Sequence, residues 1–586
     1  MVKIFGEIVA KGQAGPLSWR LSLPLALSGG VLQTLSWPWP GWWPLSFVAL
    51  IPLLRAVQGQ GSGRAFWLGW AYGLSLSVAS LPWLAYVLDY YGGLGPVLGW
   101  LVILLLAMFL ALFKGLFGWL AAKRGSSSFI WVLTGSVVWC GLDWFQNWVF
   151  TGFNWTPLGG PIVMSPQLSQ AGSLIGFYGL SFIAALVNFC LYLAMESGRG
   201  VRRFSTISPD KNGQARYDRF TAPVNTNIAR PPKTRRQVSP ALAPLAFVMI
   251  LLAGLFVWGD AEYRLWEERA AAAPARIVSV IQPSTDQMNK WDEGHRLDHL
   301  RLFERLNREA ASHDPWFTLW PETALPFIFD YHYVESEWLR RMSRETGGLM
   351  LAGLTALSGQ WPKQKMHNRM LLFNGGKTLA HYDKVHLVPF GEYLPEWIPF
   401  AEWPSMQGVL GAAGTFSSGY NSEPVIMPLD PADPQKGGVR LGVLVCFEST
   451  FPYLGRYRVL EGADLLVVPT NDGWFGRSRA PGQHLRQAAM RSIELRRPLV
   501  RAANTGISAV IYPSGRIAGH SELYEVGAFP FKVPVMRNNG LTPFVRWGYL
   551  LAPATAVLTG FMVLILAGRA AALRLRRRSE STLEKR

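Results

Sequence analysis

The feature that most constrains this chain is a series of eight apolar runs, at residues 17–35, 42–54, 65–88, 94–113, 129–142, 171–195, 241–258 and 547–567. Several approach the roughly 20 residues that a helix needs to cross about 30 Å of hydrocarbon. In lipid a backbone satisfies its own hydrogen bonds only as a helix or a closed barrel, so runs of this kind predict helices. The second and fifth are short and rely on Trp-rich flanks as interfacial anchors. About eight spans are expected.

The connections between the runs alternate in charge. Those after the first, third and fifth (36–41, 89–93 and 143–170) contain no Lys or Arg. Those after the second, fourth and sixth carry Arg55 and Arg64, the segment from Lys114 to Arg124, and the basic stretch 199–236. By the positive-inside rule the basic loops and both termini belong to the cytoplasmic side, and the long segment between the seventh and eighth runs lies outside. The formal net charge of +18 is therefore read as topology. Nucleic-acid binding is not expected, because ordered stacking aromatics on a basic surface are lacking. Nor is a cleavable signal peptide, since further long runs follow the first.

The predicted division is a membrane bundle at 1–197, a basic disordered cytoplasmic loop at 198–240, a seventh helix at 241–258, an α/β domain at 276–538, an eighth helix at 545–568 and a basic cytoplasmic tail at 569–586. Of the three cysteines, Cys140 and Cys190 fall inside apolar runs and read as packing residues. No CxxC or HExxH occurs, and His367, His381, His386 and His484 lack ligand spacing, so no metal or cofactor is expected.

Within the α/β domain, short apolar stretches at 277–281, 317–320, 349–354, 441–446, 465–469 and 499–502 predict buried strands. Segments 295–311, 333–346 and 483–496 predict helices between them. Two hairpins turn at Asn374-Gly375-Gly376 and Pro513-Ser514-Gly515. Gly375-Gly376-Lys377-Thr378 resembles the end of a phosphate loop, but the first glycine of that motif is missing and the turn reading prevails. Arg486, Arg491 and Arg497 are read as a solvated helix face, with phosphate head groups as the other reading.

Three strand ends carry reactive groups: Glu322 in Trp320-Pro321-Glu322, Lys384 in Tyr382-Asp383-Lys384, and Cys446 in Val445-Cys446-Phe447-Glu448. Singly each has an ordinary explanation as a loop acid, a surface lysine or a core thiol. Together they form a constellation. A thiol is a few per cent thiolate at neutral pH and needs a base or a cation to act as nucleophile. Glu322 could take the proton, and Lys384 could stabilise the thiolate and then an oxyanion.

The phrases WPETALP, HYDKVHLVPFGEYLP, RLGVLVCFES and LLVVPTNDGWFG resemble the signature blocks of the nitrilase superfamily. With membrane helices in front and one behind, nearly the whole chain except 198–240 is similar to the apolipoprotein N-acyltransferase family. The resemblance implies an α-β-β-α sandwich on a polytopic helical bundle, held outside the cytoplasm on a bacterial inner membrane. It implies Glu322 as general base, Lys384 as oxyanion stabiliser and Cys446 as acyl-carrying nucleophile. Glu392, Glu448 and Trp291 match supporting positions. Phe447 stands where the family often has Tyr, so a hydroxyl role there falls away.

The activity implied is acyl transfer from a phospholipid donor, through a thioester, to a diacylglyceryl apolipoprotein, by a monomer without cofactor. A membrane-anchored amidase acting on a small amide would use the same triad and is the alternative. The stretch 393–416, with Trp397, Phe400 and Trp403, and the pair Trp474-Phe475 are read as a lipid gate.

Overall fold

The computed structural model describes residues 15–122, 128–204, 242–346, 348–393, 395, 416–419, 425–428 and 438–583. All eight apolar runs contain helix, though not all as straight spans. Among the described residues four helices are long and apolar enough to cross a membrane: Gly95–Ala121, Leu168–Glu196, Ala243–Ala272 and Gly548–Leu573. A fifth arises if Ser62–Ser80 and Pro82–Tyr91, bent by 57°, count as one. The bend falls where Pro82 lacks the N–H that would continue the ladder. The second run is a 3₁₀ turn, Trp43–Phe47, followed by the short helix Ile51–Val57. At ~1.5 Å per residue such a pair is too short to cross unaided.

Small residues set how closely these helices approach. A Cβ at Gly69 would lie 2.1 Å from the Lys114 carbonyl oxygen, and one at Gly73 would lie 2.7 Å from the Ala111 Cα. Helices Ser62–Ser80 and Gly95–Ala121 therefore touch through backbone at a small-xxx-small seam. Lys114, expected in a cytoplasmic loop, sits on this seam within Gly95–Ala121. It is buried, 2.5 Å from Asp143 Oδ1 and over the Trp139 ring. A charge buried among apolar helices survives only when paired, so this lysine is structural and does not mark a loop. Cys140 and Cys190 are buried, as their apolar surroundings predict.

The α/β domain holds thirteen described strands: β1 (Ala275–Gln282), β2 (Phe317–Leu319), β3 (Ile328–Phe329), β4 (Leu349–Ser358), β5 (Lys365–Asn374), β6 (Lys377–Asp383), β7 (Val425–Pro428), β8 (Gly438–Val443), β9 (Leu465–Thr470), β10 (Leu499–Ala503), β11 (Ala509–Ile511), β12 (Ile517–His520) and β13 (Gly527–Pro534). One sheet runs β13-β1-β2-β4-β5-β6 with β3 beside β4, and the other runs β12-β11-β10-β9-β8-β7. Alternation explains the layers. Leu349, Leu351, Leu465 and Val467 point into the core between the sheets. Met350 and Ala352 meet Phe303 and Leu339 of the helices Arg296–Ala311 and Tyr333–Glu345. The expected α-β-β-α layering follows.

The fourth layer differs from an ordinary surface layer. Leu466 and Val468 join one apolar cluster with Leu485, Ala488 and Ile493 of helix Ala480–Leu495 and with Phe177 and Leu180 of the membrane bundle. This helix lies between the sheet and the bundle, so most of its polar residues are buried. Arg491 and Glu494 are both fully buried and 2.8 Å apart, and Glu494 Oε1 accepts the Phe177 backbone N–H at 2.6 Å. Arg497 is buried and donates to the Ala463 and Gly540 carbonyls. The solvated-face reading of Arg491 and Arg497 is thus wrong: periodicity reports a polar position, not what covers it.

Removing one member of a buried pair typically costs about 3–5 kcal/mol, because the other charge is left without a partner. Glu494→Ala is expected to destabilise the detergent-solubilised protein by that order, read as a lower thermal midpoint. The double change Arg491→Leu/Glu494→Leu should recover most of the loss. A double variant as unstable as the single one would contradict the pairing argument.

Candidate active site

The candidate residues come from the carboxyl ends of strands in both sheets, where the chain leaves hydrogen-bonded register and side chains can converge. Glu322 follows β2, Lys384 follows β6, Cys446 follows β8 and Asp472 follows β9. Strand β8 ends at Val443, short of the expected limit, and Cys446 opens the 3₁₀ turn Cys446–Thr450 with φ +52°. A left-handed backbone is costly for a residue with a Cβ, by roughly 1–3 kcal/mol, and persists only when neighbours over-determine it. Here Glu448 accepts the Val445 N–H at 2.7 Å, and the Cys446 carbonyl accepts from Ser449 Oγ at 2.8 Å and lies 3.0 Å from His484 Nε2. Thr323, next to Glu322, has φ +38°, and its carbonyl accepts from the buried Lys290 ammonium.

Glu322, Lys384 and Cys446 share one buried cluster. Lys384 Nζ donates to Glu322 Oε1 at 2.9 Å and to Glu392 Oε1 at 3.0 Å. Asn368 Nδ2 donates to the same two oxygens, at 2.7 and 2.8 Å, and fixes both carboxylates on the ammonium. The Asn471 N–H takes the other Glu322 oxygen at 3.0 Å. Burial disfavours the Lys384 cation, but Glu322, Glu392 and Cys446 outweigh it and hold the pKa well above the ordinary lysine value. Burial pushes the Cys446 thiol up; Glu322 adds to this, while Lys384 opposes it. Burial and Glu322 thus oppose formation of the thiolate, and Lys384 favours it.

Glu448 ties the pieces together. Its carboxylate accepts from the Val385 and His386 N–H groups at 2.8 and 3.0 Å and from the Tyr382 hydroxyl at 2.9 Å. The turn carrying Lys384 is thereby bound to the turn carrying Cys446. Behind Cys446 lies a second buried network: Asp472 is 3.0 Å from His484 Nδ1 and 2.6 Å from the Arg501 guanidinium. Burial would raise the Asp472 pKa, but Arg501 and His484 reverse that and hold it below the usual carboxylate range.

Other expectations resolve unevenly. Trp291 is 54% exposed, outside the buried cluster, whereas its neighbour Lys290 is buried. Phe447 packs on Phe451 at 4.9 Å and joins an apolar cluster with Trp83, Leu110 and Trp155. Phe475 meets Trp83 at 4.8 Å, and Trp474 meets Tyr91 at the same distance. Trp397, Phe400 and Trp403 lie outside the described residues. The sequence reading missed Asn368, Lys290 and the Asp472–His484–Arg501 network. Asn368 carried a usable signal, being polar on the strand face that bears Met370 and Leu372 in the inter-sheet core. Among the described residues no group of acidic, His or Cys side chains could hold a metal ion.

Comparison with known proteins places this geometry. Residues 29–190 match the model of the apolipoprotein N-acyltransferase N-terminal domain, and residues 277–526 match that of carbon-nitrogen hydrolases. An apolipoprotein N-acyltransferase of Geobacter metallireducens is 32% identical over 532 residues, covering 90% of this chain and 92% of its own. The chain belongs to the apolipoprotein N-acyltransferase family. A second such relative, from Pseudomonas putida, is 29% identical and covers 93% of this chain and 97% of its own. A solved amidase from Nesterenkonia sp. aligns with 47% of this chain and 94% of its own at 21% identity and a TM-score of 0.33. In this apolipoprotein N-acyltransferase family member the hydrolase-type domain and the membrane half are thus both accounted for by relatives.

The opposed effects of Glu322 and Lys384 on the thiol give a test of sign. Alkylation of Cys446 by iodoacetamide, read on its peptide by mass spectrometry, should rise with pH as thiolate forms. Glu322→Gln should move that rise to lower pH and Lys384→Met to higher pH, each by about one unit or more. Shifts in the same direction would contradict the assigned electrostatics.

Proposed function

We propose that this protein moves a fatty acyl chain from a membrane phospholipid to the α-amine of a diacylglyceryl-cysteine at an apolipoprotein's N-terminus, through a thioester on Cys446. The observation that carries the reading is the placement of Cys446. It stands beside Glu322 and Lys384 on one side, and Phe447 links it to Trp83, Leu110 and Trp155 of the apolar helices on the other. The membrane-domain match over 29–190 supports a lipid substrate, as does this aromatic path. A small-amide hydrolase would give neither of them a task.

In the first step Glu322 takes the Cys446 proton and the thiolate attacks the ester carbonyl. The tetrahedral oxyanion falls to the Lys384 ammonium. Collapse expels the lysophospholipid alkoxide, which recovers the proton from Glu322 and leaves a thioester. In the second step the neutral α-amine attacks that thioester, Glu322 takes the amine proton, and the thiolate leaves and is reprotonated. Glu392, Asn368 and Glu448 are positioning residues: they hold Lys384 and Glu322 in place without touching the acyl group. Lifting a chain of about 16 carbons out of lipid would cost on the order of 12 kcal/mol at roughly 0.8 kcal/mol per methylene. A site fed through apolar helices avoids most of that.

The topology that serves this chemistry has about eight spans, both termini in the cytoplasm and the domain at 276–538 on the periplasmic face of the inner membrane. The charge alternation of the loops supports it, as does the need to meet lipoproteins after their export. Trp474 and Phe475 act as part of the lipid gate, with Tyr91 and Trp83 as their counterparts across the junction.

Incubation with phospholipid should add one acyl chain to Cys446, removable by hydroxylamine and absent from Cys446→Ala. Lys384→Ala should lower the rate of adduct formation at least a hundredfold. An unmodified Cys446 under turnover conditions would end the thioester assignment. For topology, Trp361 is 84% exposed on the domain. In intact cells Trp361→Cys should react with a membrane-impermeant maleimide; labelling only after lysis would reverse the orientation.

A further inference from the structure

Helix Ala480–Leu495 has a second side. His484 faces the Cys446 carbonyl, and Arg486, about 200° further round at ~100° per residue, faces elsewhere. There it lines a cavity of about 450 Å³. The walls come from three parts of the chain: Met164 just ahead of the apolar helix Leu168–Glu196, Tyr263 on the helix Leu242–Ala272, and Leu485, Arg516 and Ile517 of the domain. None of Glu322, Lys384 and Cys446 borders it.

Arg486 is the unusual member. Among the described residues its guanidinium has no hydrogen-bond or ion-pair partner, and burial alone, with no anion opposing, pulls its pKa below the ordinary arginine value. Neighbouring arginines are matched: Arg491 with Glu494, Arg496 with Glu262 and Arg516 with Glu267. A partly desolvated cation that the fold leaves unneutralised calls for an anion from outside. The level of the cavity indicates which kind. The 31-residue helix Leu242–Ala272 is roughly 46 Å long at ~1.5 Å per residue, more than the ~30 Å of hydrocarbon. Tyr263 lies beyond Trp258, where the apolar run stops, so the cavity sits at the depth of lipid head groups. Its wall carries Tyr263, Arg516 and His520 near the arginine, and its apolar part, Met164, Leu485 and Ile517, gives a free inorganic anion nothing but suits an acyl chain.

We propose that this cavity binds one phospholipid, with its phosphate on the Arg486 guanidinium and an acyl chain along Met164, Leu485 and Ile517. This lipid is distinct from the acyl donor. It fills the joint between the membrane helices and the domain, and the assignment stands whether or not the acyl-transfer reading does.

The test uses the full-length protein, delipidated in dodecyl maltoside and titrated with dioleoylphosphatidylglycerol, with bound lipid counted by native mass spectrometry. Wild type should hold one more lipid than Arg486→Gln, whose affinity for that lipid falls at least tenfold. Without lipid, Arg486→Gln should unfold at the same temperature as wild type or higher, since an unpaired cation is gone. Added lipid should then raise the midpoint of wild type alone. Ile517→Trp, which fills the space and keeps the arginine, should also lose the lipid. Equal lipid counts in wild type and both variants would overturn the proposal. A lower lipid-free midpoint for Arg486→Gln would make the arginine a structural residue and overturn it too. Inorganic phosphate raising the wild-type midpoint as much as lipid does would replace the lipid with a simple anion site.

Discussion

A buried ammonium between two carboxylates is the interaction on which the rest of this molecule turns. Lys384 is almost fully removed from water, where an isolated cation would give up its proton. Glu322 and Glu392 keep it charged, and Asn368 keeps the two acids from swinging apart. The four residues come from separate loops and strands of one sheet, while Cys446 comes from the other. Holding the sulfur against that cluster therefore requires the two sheets to stay in register across their shared core. Glu448 supplies the cross-link, bonding to the turns after β6 and β8 together.

The same demand shapes the junction with the membrane. A domain tethered only by its two flanking helices could rock, and chemistry shared between a domain and a membrane surface needs a fixed geometry. Helix Ala480–Leu495 removes that freedom by serving as the outer layer of the sandwich and as a packing partner of the bundle. Its buried Arg491–Glu494 pair reaches the Phe177 backbone, and Trp155 Nε1 bonds Gln483 Oε1 at 2.6 Å. Polar contacts of this sort are costly to bury unless partnered, and here the partners come from both sides of the junction. The aromatic side chains at the bend after Ser80 then lie against Phe447 and Phe475. The residue after Cys446 and the apolar helices thus share one contact surface.

Much of this was legible in the sequence because much of it is local. Apolar runs of about twenty residues have few folds open to them, and the strands of the domain announce themselves by short apolar stretches. The candidate residues Glu322, Lys384 and Cys446 stand in short signature phrases, so resemblance singled them out before any coordinates did. Where local pattern misled, the cause was tertiary. Lys114 counted as a loop charge until the seam at Gly69 and Gly73 brought it to Asp143. Arg491 and Arg497 read as solvated, but Phe177 of an apolar helix covers Arg491, and the Ala463 and Gly540 carbonyls hold Arg497.

By itself, then, the chain determined its helices, its strands, the chemical types at the site and the family to which it belongs, since these follow from hydrogen-bond demand, periodicity and short motifs. Only the tertiary structure decided which charges are paired. Asn368 bridges two acids 46 and 24 positions away, Glu494 caps a backbone group 317 positions away, and Arg486 stands beside a cavity with no partner among the described residues. The physical reason is that the energy of a charge depends on what surrounds it in space, and for these side chains the surroundings come from distant parts of the chain.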